Sequence, residues 1–155
     1  MTVSIAKFLA KWFKTKHLES RPLKVAILGM AFKGIPETND LRGTPALNLL
    51  SDLKQALPLG TEFQLWDPIV TKSEAASEGF ELQEELAKTI ANSDCIILAN
   101  NHPKISDLSL SQISKFVIGN TLVYDMWSRH DNATKFPPNL KYVSWGSHQL
   151  SAMRE

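Results

Sequence analysis

Cysteine is almost absent from this sequence: the 155 residues contain one, Cys95. A single cysteine excludes a disulfide within the chain and supplies too few thiolates for a cysteine-based zinc site. It lies in the apolar run SDCIILAN, where a buried and unreactive thiol is expected. A reducing compartment fits this composition, and we expect a cytoplasmic protein.

An excess of charge and a long hydrophobic run are lacking as well. The 17 basic and 16 acidic side chains nearly cancel, so no global field attracts nucleic acid or a membrane. No stretch approaches the roughly 18 apolar residues that span a bilayer, and no signal peptide is recognisable. The four histidines lack the i, i+4 spacing of metal ligands. We therefore expect no nucleic acid, no membrane and no metal as partners.

Residues 1–20 are predicted to form an amphipathic N-terminal helix and a linker, before a globular domain at residues 21–155. Ser4 could cap the helix, and apolar side chains recur on one face at helical spacing: Ile5, Phe8, Leu9, Trp12 and Phe13. Lysines occupy the other face. Such a helix could lie on a membrane surface. We favour docking on protein, either the chain's own core or a partner.

From Leu23 onward, strand and helix patterns alternate. Strands are predicted at LKVAILG, EFQLWDP, SDCIILAN, NTLVYD and LKYVSWG. Helices are predicted after Thr44, near Lys72–Ser77, at Gln83–Ala91 and in LSLSQISKF. The alternation predicts an α/β fold, a Rossmann-like doubly wound and mainly parallel sheet of about five strands with helices on both faces. In such folds ligands bind beyond the carboxyl ends of the strands.

The first strand exit, GMAFKGIPETNDLRG, is the most informative of these edges. Gly29, Ala31 and Gly34 imitate a dinucleotide fingerprint. That fingerprint needs glycine at its second position and a helix that begins at once, whereas this helix waits until Thr44. We therefore reject a cofactor fingerprint here.

Two cations remain in this long loop, Lys33 and Arg42, and both suit phosphate or carboxylate. Glu37 and Asp40 could hold them in place before a ligand arrives. The alternative is that the two cations are only solvated and paired with these acids.

The other strand exits carry weaker candidates. Asp67 could bind a ribose, but an ordinary turn before proline is favoured. His102 could be a general base, yet no acid partner is evident from the sequence, and a loop histidine is favoured. Trp127 and Trp145 could stack on a uracil or could simply pack at the rim.

The run VAILGMAFKGIPETNDLRGTPALNLL resembles the opening of the C-terminal, UDP-binding domain of the UDP-glucose/GDP-mannose dehydrogenase family. The likeness extends through LWDP, SDCIILANNHPKISDL and LVYDMW, across about Leu23 to Gly146. The GIPETND form of the loop is similar to the branch that acts on N-acetylated UDP-hexosamines.

The resemblance implies a function for the loop. Full-length members oxidise the sugar C6 alcohol to a carboxylate in two NAD-dependent steps, with an N-terminal Rossmann domain, a central helix and this C-terminal domain. Phe32 and Lys33 would contact the UDP-sugar, and Arg42 would reach towards NAD. The family's catalytic cysteine lies in a region without a counterpart here, so no catalytic residue is expected. Whether Arg129 replaces an arginine common after the fourth strand is left open.

The sequence thus predicts the UDP-sugar-binding domain of an NAD-dependent nucleotide-sugar 6-dehydrogenase of polysaccharide precursor biosynthesis. The chain alone is expected to be inactive, with NAD bound only in the full enzyme. It would be either a separate chain whose partner is an N-terminal dehydrogenase half or a piece of a longer enzyme. The alternative is a non-catalytic nucleotide-binding or interaction module that kept the fold. The sugar and any homo-oligomer stay undefined.

Overall fold

A single parallel sheet organises the chain. The computed structural model describes residues 1–16, 21–130 and 136–154, with side chains through residue 149. The strands are β1 (Lys24–Leu28), β2 (Glu62–Trp66), β3 (Cys95–Leu98), β4 (Thr121–Asp125) and β5 (Leu140–Ser144). All neighbours pair in parallel, in the order β2-β1-β3-β4-β5. The predicted doubly wound α/β sheet is confirmed.

Helices cover both faces of this sheet. They are α1 (Thr2–Thr15), α2 (Pro45–Ala56), α3 (Lys72–Ser77), α4 (Leu86–Ile90), α5 (Pro103–Ser106), α6 (Leu110–Ser114) and α7 (Trp145–Arg154). Buried side chains of α1, α2 and α3 belong to one core layer, and those of α4, α5 and α6 belong to the other. Among the described helices, none has the length and apolar character needed to cross a bilayer.

The central strands are apolar throughout because both of their faces are covered. In β1, Val25 and Ile27 face the α1–α2 layer, whereas Ala26 and Leu28 face the opposite layer. All four are fully buried. Burying a side chain of this kind contributes roughly 1.5–3 kcal/mol for valine or leucine, and side chains in a strand alternate between faces. The continuous run LKVAILG therefore predicted a two-sided strand correctly.

Helix α1 packs against the chain's own core. Ile5, Leu9 and Phe13 are buried in the same cluster as the leucines of α2. Phe8 is half-buried, with its ring 5.7 Å from that of Tyr124 in β4. The apolar stripe is therefore used inside the molecule, as the protein-docking interpretation predicted. The linker expected to follow α1 lies largely outside the described residues, which resume at residue 21.

Two predicted helix boundaries are wrong. Ser4 does not cap α1, because the helix already begins at Thr2 and the Ile5 N–H donates to Met1 O at 3.1 Å. The helix expected from Gln83 begins only at Leu86. The Gln83 N–H donates to Leu65 O of β2 at 2.8 Å, so this residue extends the edge of the sheet instead of entering the helix.

The last strand is shorter than predicted, and an unpredicted helix follows it. The run LKYVSWG leaves the sheet at Ser144, and α7 begins at Trp145. Ser144 Oγ accepts the Ser147 N–H at 3.0 Å, and Ser147 Oγ accepts the Ser144 N–H at 3.0 Å. This reciprocal pairing satisfies backbone donors at the helix start, as in a capping box.

Candidate functional site

The strand order places a topological switch point between β1 and β3. From β1 the chain crosses to β2 on one side, and from β2 it returns to β3 on the other side of β1. In open α/β sheets, ligands bind in the crevice outside the carboxyl ends of the strands at such a point. The long loop of residues 29–43 follows β1, and residues 99–102 follow β3. Sequence reasoning selected both segments.

Asp67, at the end of β2, fixes the start of the long loop. One carboxylate oxygen accepts the N–H groups of Met30 and Ala31 at 2.7 and 2.9 Å. The other accepts those of Ile69 and Val70, both at 2.8 Å. The residue is only 8% exposed. Because four backbone donors occupy its oxygens, Asp67 supports the turn interpretation over a ribose ligand.

The loop also closes on itself where it enters α2. Thr44 Oγ1 donates to Met30 O at 2.7 Å and accepts the Ala46 N–H at 3.3 Å, so this one hydroxyl caps the helix and ties the loop's two ends. The Phe32 N–H donates to Asp40 O at 2.7 Å. The helix start predicted at Thr44–Pro45 is thereby confirmed.

Two contacts join the middle of the loop to the exit of β3. The Gly34 N–H donates to Asn101 Oδ1 at 3.0 Å, and His102 Nε2 lies 2.8 Å from Glu37 Oε2. His102 Nδ1 accepts the Lys104 N–H at 3.1 Å. Because a backbone N–H can only donate, Nδ1 carries the lone pair, and Nε2–H is the donor to Glu37.

The backbones of the two segments touch so closely that Gly34 tolerates no side chain. A Cβ at this position would lie 2.0 Å from the His102 nitrogen. Gly29 has φ +97°, and a Cβ there would lie 2.5 Å from Asn100 Cγ. Both glycines thus serve close packing of the loop on the β3 exit, and the match to a dinucleotide fingerprint is coincidental.

Arg42 is exposed to solvent and is paired with Asp40. Its Nε and one terminal nitrogen donate to the two carboxylate oxygens of Asp40 at 3.0 and 2.9 Å. Its backbone N–H donates to Asp40 Oδ1 at 2.9 Å. The hydrogen bonds from the Arg42 side chain and N–H lower the pKa of Asp40 to about 2. The Arg42 side chain remains 91% exposed. Asp40 therefore orients this planar fork while leaving it open to solvent.

Lys33 and Phe32 are the loop residues whose side chains are available to contact a ligand. Lys33 is half-buried, and no residue in the described part of the chain pairs with its ammonium. Glu37, expected as one partner, bonds His102 instead. Phe32 is 47% exposed. Among the described residues, the loop thus presents the ammonium of Lys33 without a partner, the exposed ring of Phe32 and the oriented guanidinium of Arg42 at the same edge of the sheet.

Asp125 makes a second carboxylate clamp, at the exit of β4, that sequence reasoning missed. It is fully buried and accepts the N–H groups of Trp127, Arg129 and His130 and the hydroxyl of Tyr142, at 2.7–3.1 Å. The signal that could have found it is an aspartate ending a buried strand before a turn, as at Asp67.

The two candidate tryptophans lie in different surroundings. Trp127 is 43% exposed, and its indole N–H donates to Ala99 O at the β3 exit at 3.1 Å. Trp145 packs on the α1–α2 core layer and meets His148 edge-on at 5.4 Å. Only Trp127 therefore stands at the carboxyl edge with an open face. Arg129 has an exposed side chain, and only its backbone is held there.

The remaining candidates have structural explanations. Cys95 is fully buried, as predicted, and that burial raises the pKa of its thiol. Among the described residues, no group of three histidine, cysteine or acidic side chains is placed to hold a metal. Cavities of about 570 and 620 Å³ lie beside the Arg21–Asp94 ion pair, at the opposite, amino-terminal edge of the sheet.

Five parallel strands with helices on both faces and a long loop at the switch point define a Rossmann-like α/β domain. The sequence model of the UDP-glucose/GDP-mannose dehydrogenase family, UDP binding domain, matches residues 26–132. This match covers more than half of the chain. The chain therefore belongs to that family, as its UDP-binding domain, and the resemblance noted in the sequence is confirmed.

Curated relatives are similar over part of their length. UDP-glucose 6-dehydrogenase TuaD of Bacillus subtilis is 29% identical over 91 residues, which are 57% of this chain and 19% of the relative. UDP-N-acetyl-D-mannosamine dehydrogenase of Pyrococcus horikoshii is 28% identical over 91 residues, 59% of this chain and 18% of the relative. The matched region thus corresponds to about a fifth of each relative.

Solved structures share the fold. The UDP-D-ManNAc dehydrogenase of Pyrococcus horikoshii superposes with a TM-score of 0.70 at 20% identity, covering 94% of this chain and 30% of that one. The NDP-N-acetyl-D-galactosaminuronic acid dehydrogenase of Methanosarcina mazei gives 0.71 at 21% identity, covering 95% and 30%. At these identities the likeness establishes the architecture alone.

Proposed function

We propose that the chain binds a UDP-sugar at the carboxyl edge of its sheet, as one part of an NAD-dependent nucleotide-sugar 6-dehydrogenase. The observation that carries this proposal is the half-buried Lys33, whose ammonium has no partner among the described residues and which follows the exposed Phe32 on the loop at the switch point. An ammonium without a carboxylate partner is available to an anionic ligand.

In this proposal Lys33 contacts the phosphates or the charged end of the sugar, and Phe32 packs against the ligand. Arg42 is assigned to the neighbourhood of NAD at the boundary with a second domain. Its exposed and pre-oriented guanidinium supports that role, because a planar fork binds phosphate oxygens in pairs. The GIPETND loop and the Pyrococcus horikoshii relative favour an N-acetylated UDP-hexosamine as the sugar.

In the described part of the chain, the loop after β1 lacks the geometry of a dinucleotide fingerprint. Gly29 and Gly34, which a dinucleotide fingerprint would leave open to the pyrophosphate, are covered by Asn100 and His102. The next helix begins only at Pro45. We therefore place NAD binding and hydride transfer on a dehydrogenase half that joins this domain, within a longer chain or as a separate protein.

The test is UDP affinity of the 155-residue chain and its variants, measured by calorimetry or NMR. With part of the contact surface absent, UDP should bind at best in the micromolar to millimolar range, roughly −4 to −8 kcal/mol. Lys33→Ala should weaken binding by on the order of 1–3 kcal/mol, as for the loss of a charged hydrogen-bond partner.

Lys54→Ala is the matched control, because Lys54 is exposed near the end of α2, at the opposite edge of the sheet. It should bind UDP like the wild type. Unchanged affinity in Lys33→Ala, or an equal loss in Lys54→Ala, would refute the assignment of this loop.

A further inference from the structure

We propose that Glu37 and His102 act as a latch that positions Lys33 for the ligand. The inference rests on the proposed function, since it concerns how that site is kept ready. Neither residue needs to contact the nucleotide. Their role is to hold the loop segment that carries Lys33 against the β3 exit.

Lys33 lies between two fixed backbone positions. On one side the Phe32 N–H is bonded to Asp40 O at 2.7 Å, and on the other side the Gly34 N–H is bonded to Asn101 Oδ1 at 3.0 Å. The Glu37–His102 contact, three residues further along the loop, closes the segment at 2.8 Å. A lysine on a free loop would lose backbone and rotamer freedom on binding, whereas here the backbone part has already been ordered.

The geometry assigns the two partners unequal roles. The His102 side chain is 7% exposed, and both of its ring nitrogens are bonded, Nδ1 to the Lys104 N–H and Nε2 to Glu37. It caps α5, and its backbone N–H donates to Asn100 Oδ1 at 3.1 Å. The Glu37 side chain is 63% exposed and belongs to the loop. A buried, pre-oriented histidine therefore anchors a carboxylate that would otherwise be solvated.

The sign of the expected effect separates a latch from a simple surface charge. A carboxylate next to a bound diphosphate repels it, so removing an ordinary surface glutamate there would strengthen UDP binding. Removing a latch weakens binding because the loop must be ordered by the ligand. We expect Glu37→Ala to weaken UDP binding about fivefold to twentyfold, or about 1–2 kcal/mol at 1.4 kcal/mol per factor of ten.

Glu37→Gln provides the conservative rescue. Its amide oxygen can still accept the Nε2–H bond, so its UDP affinity should stay within about twofold of the wild type. Glu81→Ala is the matched control, an exposed glutamate to which the described residues offer no hydrogen bond or ion pair, and it should leave affinity unchanged.

Amide hydrogen exchange without ligand gives a readout independent of UDP. In Glu37→Ala, protection of the Phe32 and Gly34 amides should fall, while the Ile27 and Ile97 amides in the sheet stay as protected as in the wild type. If the wild-type chain fails to bind UDP, the proposed function falls, and exchange at Gly34 still tests the latch.

Two results would overturn the inference while leaving the proposed function standing. One is a wild-type chain that binds UDP through Lys33 together with a Glu37→Ala variant that binds it equally or more tightly. The other is a Glu37→Gln variant as impaired as Glu37→Ala, because that would make the charge of Glu37 decisive instead of its bond to His102.

Discussion

Removing the Asp67 carboxylate should destabilise the domain more than any change at an exposed acid. Its two oxygens accept four backbone N–H bonds at 2.7–2.9 Å from two separate segments, those of Met30–Ala31 and Ile69–Val70. In Asp67→Ala all four donors lose their acceptor at a site that is nearly inaccessible to water. Hydrogen bonds to a charged group contribute roughly 1.5–3 kcal/mol each.

The net loss should be smaller than four such contributions, because the loop can loosen and let water reach some of the donors. We expect Asp67→Ala to lower the free energy of unfolding by about 3–5 kcal/mol, the range of broken buried networks. Asp67→Asn keeps one oxygen but turns an NH₂ group towards two N–H donors. It should therefore lose at least half as much as alanine, although it is isosteric.

Urea denaturation followed by tryptophan fluorescence or circular dichroism measures these differences. Asp107→Ala is the control, since Asp107 is exposed and its substitution should change the free energy of unfolding by no more than about 0.5 kcal/mol. In the Asp67 variants, the hydrogen-exchange rates of the Met30 and Ala31 amides should increase more than those of other amides. An Asp67→Ala chain that unfolds at the same urea concentration as the wild type would refute the clamp.

Three other outcomes are expected. The 155-residue chain should reduce no NAD with any UDP-sugar, because its one cysteine is buried in β3 and Gly29 and Gly34 are covered by Asn100 and His102; sustained NADH formation by dehydrogenase-free protein would contradict this. Arg42→Ala should raise the Asp40 pKa from about 2 towards 3.8, which carboxyl ¹³C titration measures. In the wild type, the depressed pKa means that ionised Asp40 stabilises the fold above pH 4, and this contribution is lost as the pH falls towards 2. Leu9→Ala should cost about 2–5 kcal/mol in urea denaturation, as for a fully buried leucine; an unchanged midpoint would mean that α1 does not pack on the core.

The strands and the helix after the long loop could be predicted because their signals are local. A continuous apolar run such as VAIL marks a strand covered on both faces, and Thr44–Pro45 marks a helix start through its own side chains. Helix α7 has a comparable signal in Ser144 and Ser147, which was not recognised. Short helices such as α5 carry too few residues for a periodic pattern.

The contacts that build the site could not be predicted in the same way. Glu37 and His102 are 65 positions apart in the chain, and Asp67 and Met30 are 37 apart. Such pairs meet only because β1 lies between β2 and β3, and nothing in the local sequence specifies that order. The pairing of Arg42 with Asp40 could be predicted because the two residues are only two positions apart, whereas the pairing of Glu37 with His102 depends on the strand order.

The location of bound UDP tests the central claim most directly. A ¹⁵N-labelled 155-residue chain is titrated with UDP, and amide shift changes are followed for assigned residues. The UDP-binding role proposed for the switch point predicts saturable changes concentrated in residues 29–43 and 99–102. Changes confined to the cavities around Arg21 and Asp94 at the opposite edge, or no saturable change anywhere, would contradict it.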